Sequence, residues 1–157
     1  MKNIHKLAAI DIGSNAVRLL ITSIRINKSE TKFKKISLVR VPLRLGEDVF
    51  SKGKISDKKL KKLQKTLKAF KILMQMHEVY MFKAVATSAM REAENSTKII
   101  EDVFKKLNIK IDLISGKKEA LMIANVFLNS IENLVNNYLY VDVGGCLLYT
   151  SDAADES

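Results

Sequence analysis

Cysteine is almost missing from this chain. Cys146 is the single copy, which excludes an internal disulfide framework and any cysteine metal cluster built within one chain. Histidine is nearly as scarce, and His5 and His77 stand far apart as surface or helix-end positions. No apolar run approaches the roughly 18 residues that would suggest a membrane span. Residues 1–6 are too short, and too soon followed by Asp11, to read as a signal peptide, so a soluble, cytoplasmic protein is the expectation. Acids are also in short supply. With 17 acidic against 27 basic side chains, the net charge of +10 favours anionic partners, whether nucleic acid, phosphorylated metabolites or inorganic polyanions, without choosing among them. What is present is globular in composition, 47% apolar and 28% charged. The length of 157 residues suits one domain with a proper core, or one domain and the beginning of another.

The chain is organised around Ala8-Ala9-Ile10-Asp11-Ile12-Gly13-Ser14-Asn15-Ala16-Val17-Arg18. An apolar strand runs into a carboxylate, then into a Gly-Ser-Asn turn, then into a second strand from Val17. That turn presents backbone N–H groups, a hydroxyl, an amide and one acid, the donor set that a phosphate chain with a bound cation needs.

Residues 7–10 are continuously apolar and suit a central strand covered on both faces. Residues 17–26 and 34–41, the latter bounded by Pro42, complete a β-meander. Residues 43–48 read as a loop. Ser56 is a serviceable N-cap for an amphipathic helix from Asp57 to about Met76, with Leu60, Leu63, Leu67, Phe70, Leu73 and Met74 at three- and four-residue spacing. Lys58, Lys59, Lys61, Lys62, Lys65, Lys68 and Lys71 fill its other faces. They could bind a polyanion, although lysines on a helix are more often just its solvated side. Residues 79–87 read as a strand parallel to the first, since a helix precedes it. A helical stretch at 88–94 follows, then a helix at 96–107 with Asn95 as its cap, a strand at 109–114, a helix from Lys117 to about Ser130, and a strand at 138–143.

That last strand repeats the first: Tyr140-Val141-Asp142-Val143-Gly144 echoes Ala9-Ile10-Asp11-Ile12-Gly13. Two copies separated by a βββαβαβα unit suggest two related domains, one spanning 1–132 and a second of which 138–145 is the first strand and part of a glycine loop. Residues 146–157 do not fit what precedes them, having three acids and no base. Up to Glu156 they look like the translation of a transposon-end sequencing adapter, so the natural protein is expected to continue past Gly145 with other residues. The ordinary alternative is a disordered acidic terminus.

Five elements, Asp11-Ile12-Gly13-Ser14-Asn15 with Arg18, Arg44-Leu45-Gly46, the run from Thr87 to Asn95, Ser115-Gly116 with Glu119-Ala120, and Asp142-Val143-Gly144-Gly145, occur here in one order and spacing. In this the chain resembles the exopolyphosphatase and guanosine pentaphosphate phosphohydrolase (Ppx/GppA) family. The resemblance implies an α/β, ribonuclease H-like domain of the actin, Hsp70 and sugar-kinase type with a mixed central sheet. It departs from the family pattern twice: Cys146-Leu147-Leu148 interrupts the second glycine loop, and Lys118 stands where many relatives have an acid before Glu119.

Hydrolysis of a phosphoanhydride needs a phosphate clamp, charge neutralisation and a positioned water. Gly13, Ser14 and Asn15 offer one half of a clamp and Gly144 and Gly145 part of the other. Asp11 and Asp142, each ending a strand, are candidates to hold Mg²⁺ or its water shell; the bland alternative is that both stabilise glycine turns. The resemblance implies that Arg91 reaches substrate and that Glu119 orients and deprotonates the attacking water. From position alone Arg91 would be a surface ion pair and Glu119 a first-turn acid facing the helix dipole. Arg18 and Arg44 are further candidates for phosphate contact. The expected substrates are inorganic polyphosphate, guanosine pentaphosphate or both. The full-length protein is expected to be a homodimer, with neither membrane nor nucleic acid as partner. A cleft between two domains needs both, so these 157 residues alone are expected to be inactive. The rival readings are a noncatalytic polyanion-binding module and an ATP-dependent kinase or chaperone of the same fold.

Overall fold

The computed structural model describes residues 4–26, 31–128, 140–143 and 148–151. The chain divides into two compact units, 1–113 and 114–157. In the first, β1 (Ile4–Ile12), β2 (Ala16–Ile26) and β3 (Thr31–Pro42) form an antiparallel meander. Then come α1 (Leu45–Lys52), α2 (Asp57–Met76), β4 (Met81–Ala86), α3 (Ser88–Glu92), α4 (Ser96–Leu107) and β5 (Ile111–Leu113). The five strands lie in the order β3-β2-β1-β4-β5, with β4 parallel to β1 and β5 parallel to β4. This is the expected βββαβαβ order and mixed sheet; the short helix α3 after β4 falls in the expected helical stretch 88–94, and α1 is added at the end of β3.

The sheet alternates rather than burying both faces of β1. Ala8, Ile10 and Ile12 are buried, whereas Ala9 is exposed and Asp11 half-buried. The buried set joins Val17, Leu19 and Ile21 of β2 and Ala84 and Ala86 of β4 in one core with Leu63, Leu67, Phe70 and Met74 of α2 and Ile99 and Val103 of α4. Side chains three and four apart on α2 therefore meet side chains two apart on the strands. Each of the large ones contributes about 1.5–3 kcal/mol of apolar burial. Ser56 caps α2 as expected, its Oγ accepting from the Lys59 N–H at 3.4 Å.

Two local expectations are corrected. Residues 43–48 are not a loop throughout, because α1 begins at Leu45 and inserts Leu45 and Val49 into the core. Its ends are marked by Arg44 and Gly53, both in the left-handed region (φ 51° and 71°). Asn95 precedes α4 but makes no side-chain cap. Its amide instead pairs with the backbone of Ile55, accepting from the N–H at 3.0 Å and donating to the carbonyl at 2.9 Å, so it ties the approach to α4 to the approach to α2.

The second unit contains α5 (Gly116–Leu128) and a ladder of β6 (Tyr140–Val143) with β7 (Leu148–Ser151). At the start of α5 the Ser115 carbonyl accepts from the Glu119 N–H at 2.9 Å, and its hydroxyl from the Lys118 N–H at 3.3 Å. β7 lies within the acidic segment 146–157.

Candidate functional site

The turn between β1 and β2 is held from two sides. Internally the Gly13 N–H donates to the Ala16 carbonyl at 3.1 Å, and a Cβ on Gly13 would sit 3.2 Å from that same oxygen. On one side the carbonyls of Asn15 and Ser14 accept from the N–H groups of Arg44 (2.8 Å) and Gly46 (2.9 Å), where the chain enters α1. On the other, Ser14 Oγ lies 2.6 Å from Ser88 Oγ and accepts from the Ala89 N–H at 3.2 Å, at the first turn of α3. The Thr87 N–H donates to the Ile12 carbonyl at 3.2 Å. Thus the segment carrying Arg44 and the segment carrying Arg91 are both hydrogen-bonded to the Gly-Ser-Asn turn. Gly46 also sits close to its neighbours: an added Cβ would meet the Phe50 ring at 2.8 Å and Ser14 Cβ at 3.1 Å, so one of them would have to shift.

Arg44 holds a left-handed conformation that a non-glycine residue adopts only when its surroundings over-determine it, and here they do. Besides its N–H bond to Asn15, its carbonyl accepts from Lys59 Nζ and from the Glu47 N–H, and its guanidinium lies 3.4 Å from Glu47. Lys59 is the hub, with its ammonium 3.2 Å from Glu47 and 3.2 Å from Asp48. Asp48 is buried, and its other oxygen accepts from the Ser56 N–H at 3.0 Å. Hydrogen bonding from Ser56 lowers the Asp48 carboxyl from the ordinary 3.8 to about 2; burial opposes the shift, and the Lys59 ammonium assists it. Residues 43–48 carry no helical periodicity, so nothing in that stretch of sequence forewarns of this network. The only hint was Ser56-Asp57 marking a helix start.

Asp11 is half-buried on β1, with a carboxylate oxygen 3.6 Å from Arg18, its direct partner on β2. Arg91 is half-buried in α3, one turn after Thr87, whose carbonyl accepts its N–H at 3.0 Å. Asn15 is exposed. Glu119 lies half-buried in the first turn of α5, in the second unit. Asp142 is in β6 opposite Tyr149, and Gly144 and Gly145 lie outside the described residues. Among the described residues, no three His, Cys, Asp or Glu side chains gather as a metal site. Mg²⁺ commonly keeps its waters and takes only one or two carboxylates alongside substrate phosphates, so Asp11 by itself is compatible with that kind of binding. Among the described residues, no helix is long and apolar enough to cross a membrane.

Fold and turn together define a mixed α/β domain of the ribonuclease H-like, actin type. Residues 24–148 match the model of the Ppx/GppA phosphatase family, and the chain belongs to that family. It is 32% identical over 148 residues to a bifunctional 3-dehydroquinate synthase/phosphatase of Fusobacterium nucleatum, covering 92% of this chain and 22% of that protein. It is 29% identical over 151 residues to exopolyphosphatase 1 of Mycobacterium bovis, covering 96% of this chain and 43% of that one. Among solved structures, the Ppx/GppA family member of Aquifex aeolicus superposes with a TM-score of 0.82 at 28% identity, over 94% of this chain and 47% of that chain. An exopolyphosphatase of Cytophaga hutchinsonii gives a TM-score of 0.82 at 25% identity, over 95% and 51%. The chain thus spans about half the length of these solved relatives, and less of the curated ones.

Proposed function

We propose that the intact protein is a phosphoanhydride hydrolase that releases the terminal phosphate of inorganic polyphosphate, guanosine pentaphosphate or both. Family membership supports a phosphatase. One observation carries the reading further: the Gly13-Ser14-Asn15 turn is hydrogen-bonded at once to the segments bearing Arg44 and Arg91. A turn braced in this way keeps arginine forks, which match phosphate oxygens, in fixed register with the turn before substrate arrives.

In this reading the side chains of Asn15, Arg18, Arg44 and Arg91 bind and orient the phosphates. The Ser14 hydroxyl, engaged with α3, positions the turn. Gly144 and Gly145 complete the clamp from the second domain. Glu119 orients the attacking water and accepts its proton. Asp11 and Asp142 would hold Mg²⁺, which would supply charge neutralisation on the phosphate oxygens. The intact protein would act as a cytoplasmic homodimer, with no membrane or nucleic-acid partner, while residues 1–157 alone would turn over little substrate.

The test is phosphate release by the intact protein from each substrate. The expected result is turnover with at least one, falling about 100-fold or more in Glu119→Gln, within the range known for general acid–base catalysis. Undiminished release in that variant would overturn the role of Glu119, and no release from either substrate would overturn the hydrolase. The rival polyanion-binding module is favoured by the exposed lysines of α2. It requires salt-sensitive binding of DNA and polyphosphate alike, unaffected by changes at Asp11 or Glu119.

A further inference from the structure

We infer that Arg40, paired with Arg18 across the ladder, forms a second phosphate subsite beside the turn, one that engages a long inorganic polyphosphate and that a two-phosphate ligand at the turn does not reach. The inference rests on the reading that this end of the sheet receives phosphate.

The ladder pairs Arg40 of β3 with Arg18 of β2, Arg18 with Asp11 of β1, Asp11 with Val85 of β4, and Val85 with Asp112 of β5. One rung therefore crosses the whole sheet and places all five side chains on the same face. Its charge is divided, with two arginines at the β3–β2 end and carboxylates at the centre and at the β5 end. Asp112 is matched by Lys83 at 3.5 Å, and Asp11 lies 3.6 Å from Arg18. The Arg40 side chain is exposed and makes no hydrogen bond or ion pair among the described residues.

Like charges placed directly opposite each other on neighbouring strands are destabilising by themselves, and a bound anion reverses that sign. An apolar rung, Leu38 against Leu20 and Leu20 against Ala9, separates the pair from Lys35, the next basic side chain on that half of the face. This makes it two forks at one spot and not part of a diffuse basic surface. Two strand spacings separate β3 from β1, so the Arg40 backbone stands about 10 Å from that of Asp11. A ligand that ends at the Gly13 turn reaches Arg40 only if it continues as a chain of phosphates. Arg18, between the two, belongs to both stations.

Binding of inorganic pyrophosphate and of long-chain inorganic polyphosphate to the intact protein, by calorimetry at fixed salt, tests this. Arg40→Gln is expected to weaken the long chain about tenfold while leaving pyrophosphate within about twofold, and Arg40→Lys to fall between. Lys65→Gln removes the same charge from the outer face of α2 and is expected to change neither. Each variant's unfolding midpoint verifies that it is folded, as expected for exposed positions. Equal long-chain affinity in Arg40→Gln and wild type would overturn the subsite. So would equal loss for both ligands, or the same loss in Lys65→Gln. An Arg40-dependent preference for the long chain in a protein that releases no phosphate would uphold the subsite while refuting the hydrolase.

Discussion

Two basic regions of this molecule carry similar charge and differ in how it is held. The lysines of α2 separate into tethers and solvated charges. Lys59 is fixed by Asp48, Glu47 and the Arg44 carbonyl, and Lys71 donates to the Leu107 carbonyl at 2.8 Å at the end of α4. Lys58, Lys61, Lys62, Lys65 and Lys68 are exposed and have no described partner. The arginines stand instead where β1, β2 and β3 meet the braced turn: Arg18 and Arg40 on one rung, Arg44 in a locked left-handed conformation, and Arg91 one turn into a helix that Ser14 holds. A net charge attracts anions to both regions, but in the second the arginines stand on backbone that the strand ladder and the braced turn hold in register. Pre-organisation, more than charge, marks the candidate site.

The two faces of α2 differ most in what they hold. Phe70, on the inner face, is expected to cost about 3–5 kcal/mol when changed to Ala. Lys65→Ala, five residues earlier on the outer face, should stay within about 0.5 kcal/mol. Chemical denaturation of the two variants checks the pair, and a Lys65 effect approaching that of Phe70 would mean that the lysine face is structural.

Next in size is the tether beneath Arg44. Asp48→Asn keeps the shape but removes the charge opposite Lys59, an expected loss of about 1.5–3 kcal/mol. The pH dependence has a definite sign. The folded carboxyl titrates near 2 and the ordinary one near 3.8, so this stabilisation is complete above about pH 5 and lost as pH falls from about 4 through 2. Wild type should therefore lose stability over that window more steeply than Asp48→Asn, and parallel acid limbs would contradict the assignment.

Smaller again is the bond between turn and α3. Ser14→Ala is expected to cost about 1 kcal/mol, and its coupling with Ser88→Ala about 0.5–1.5 kcal/mol in a double-mutant cycle. Zero coupling would mean that the 2.6 Å contact does not brace the turn. Smallest of all, Arg40→Gln should leave stability within about 0.5 kcal/mol or raise it slightly, because one member of a like-charged pair is removed. A clear loss would show that Arg40 is already engaged in the free protein.

Much of this was legible in the sequence, and what was not has physical causes. Spacing gave α2 from Asp57 to Met76, because amphipathic periodicity over twenty residues is hard to mistake. The parallel pairing of β4 with β1 followed from the long helix that precedes β4. The turn was visible because Asp11 and the run Gly13-Ser14-Asn15 fall within one five-residue stretch. Helix α1 was hidden because it spans eight residues and begins Leu45-Gly46-Glu47, and its glycine sits close to Ser14 and Phe50, which sequence alone does not show. Asn95 had the composition of a cap, but a partner forty residues away claimed its side chain. The Arg40–Arg18–Asp11 rung was out of reach because register across three strands is a property of the folded sheet.

Where an anion binds first decides between the two basic regions. Titrating the ¹⁵N-labelled chain with tripolyphosphate and following its amide resonances measures this residue by residue. The expected result is that the largest shifts fall on residues 11–18, 40–46 and 87–91, with small changes at 58–68. Largest shifts on the lysines of α2, with the turn unmoved, would contradict it.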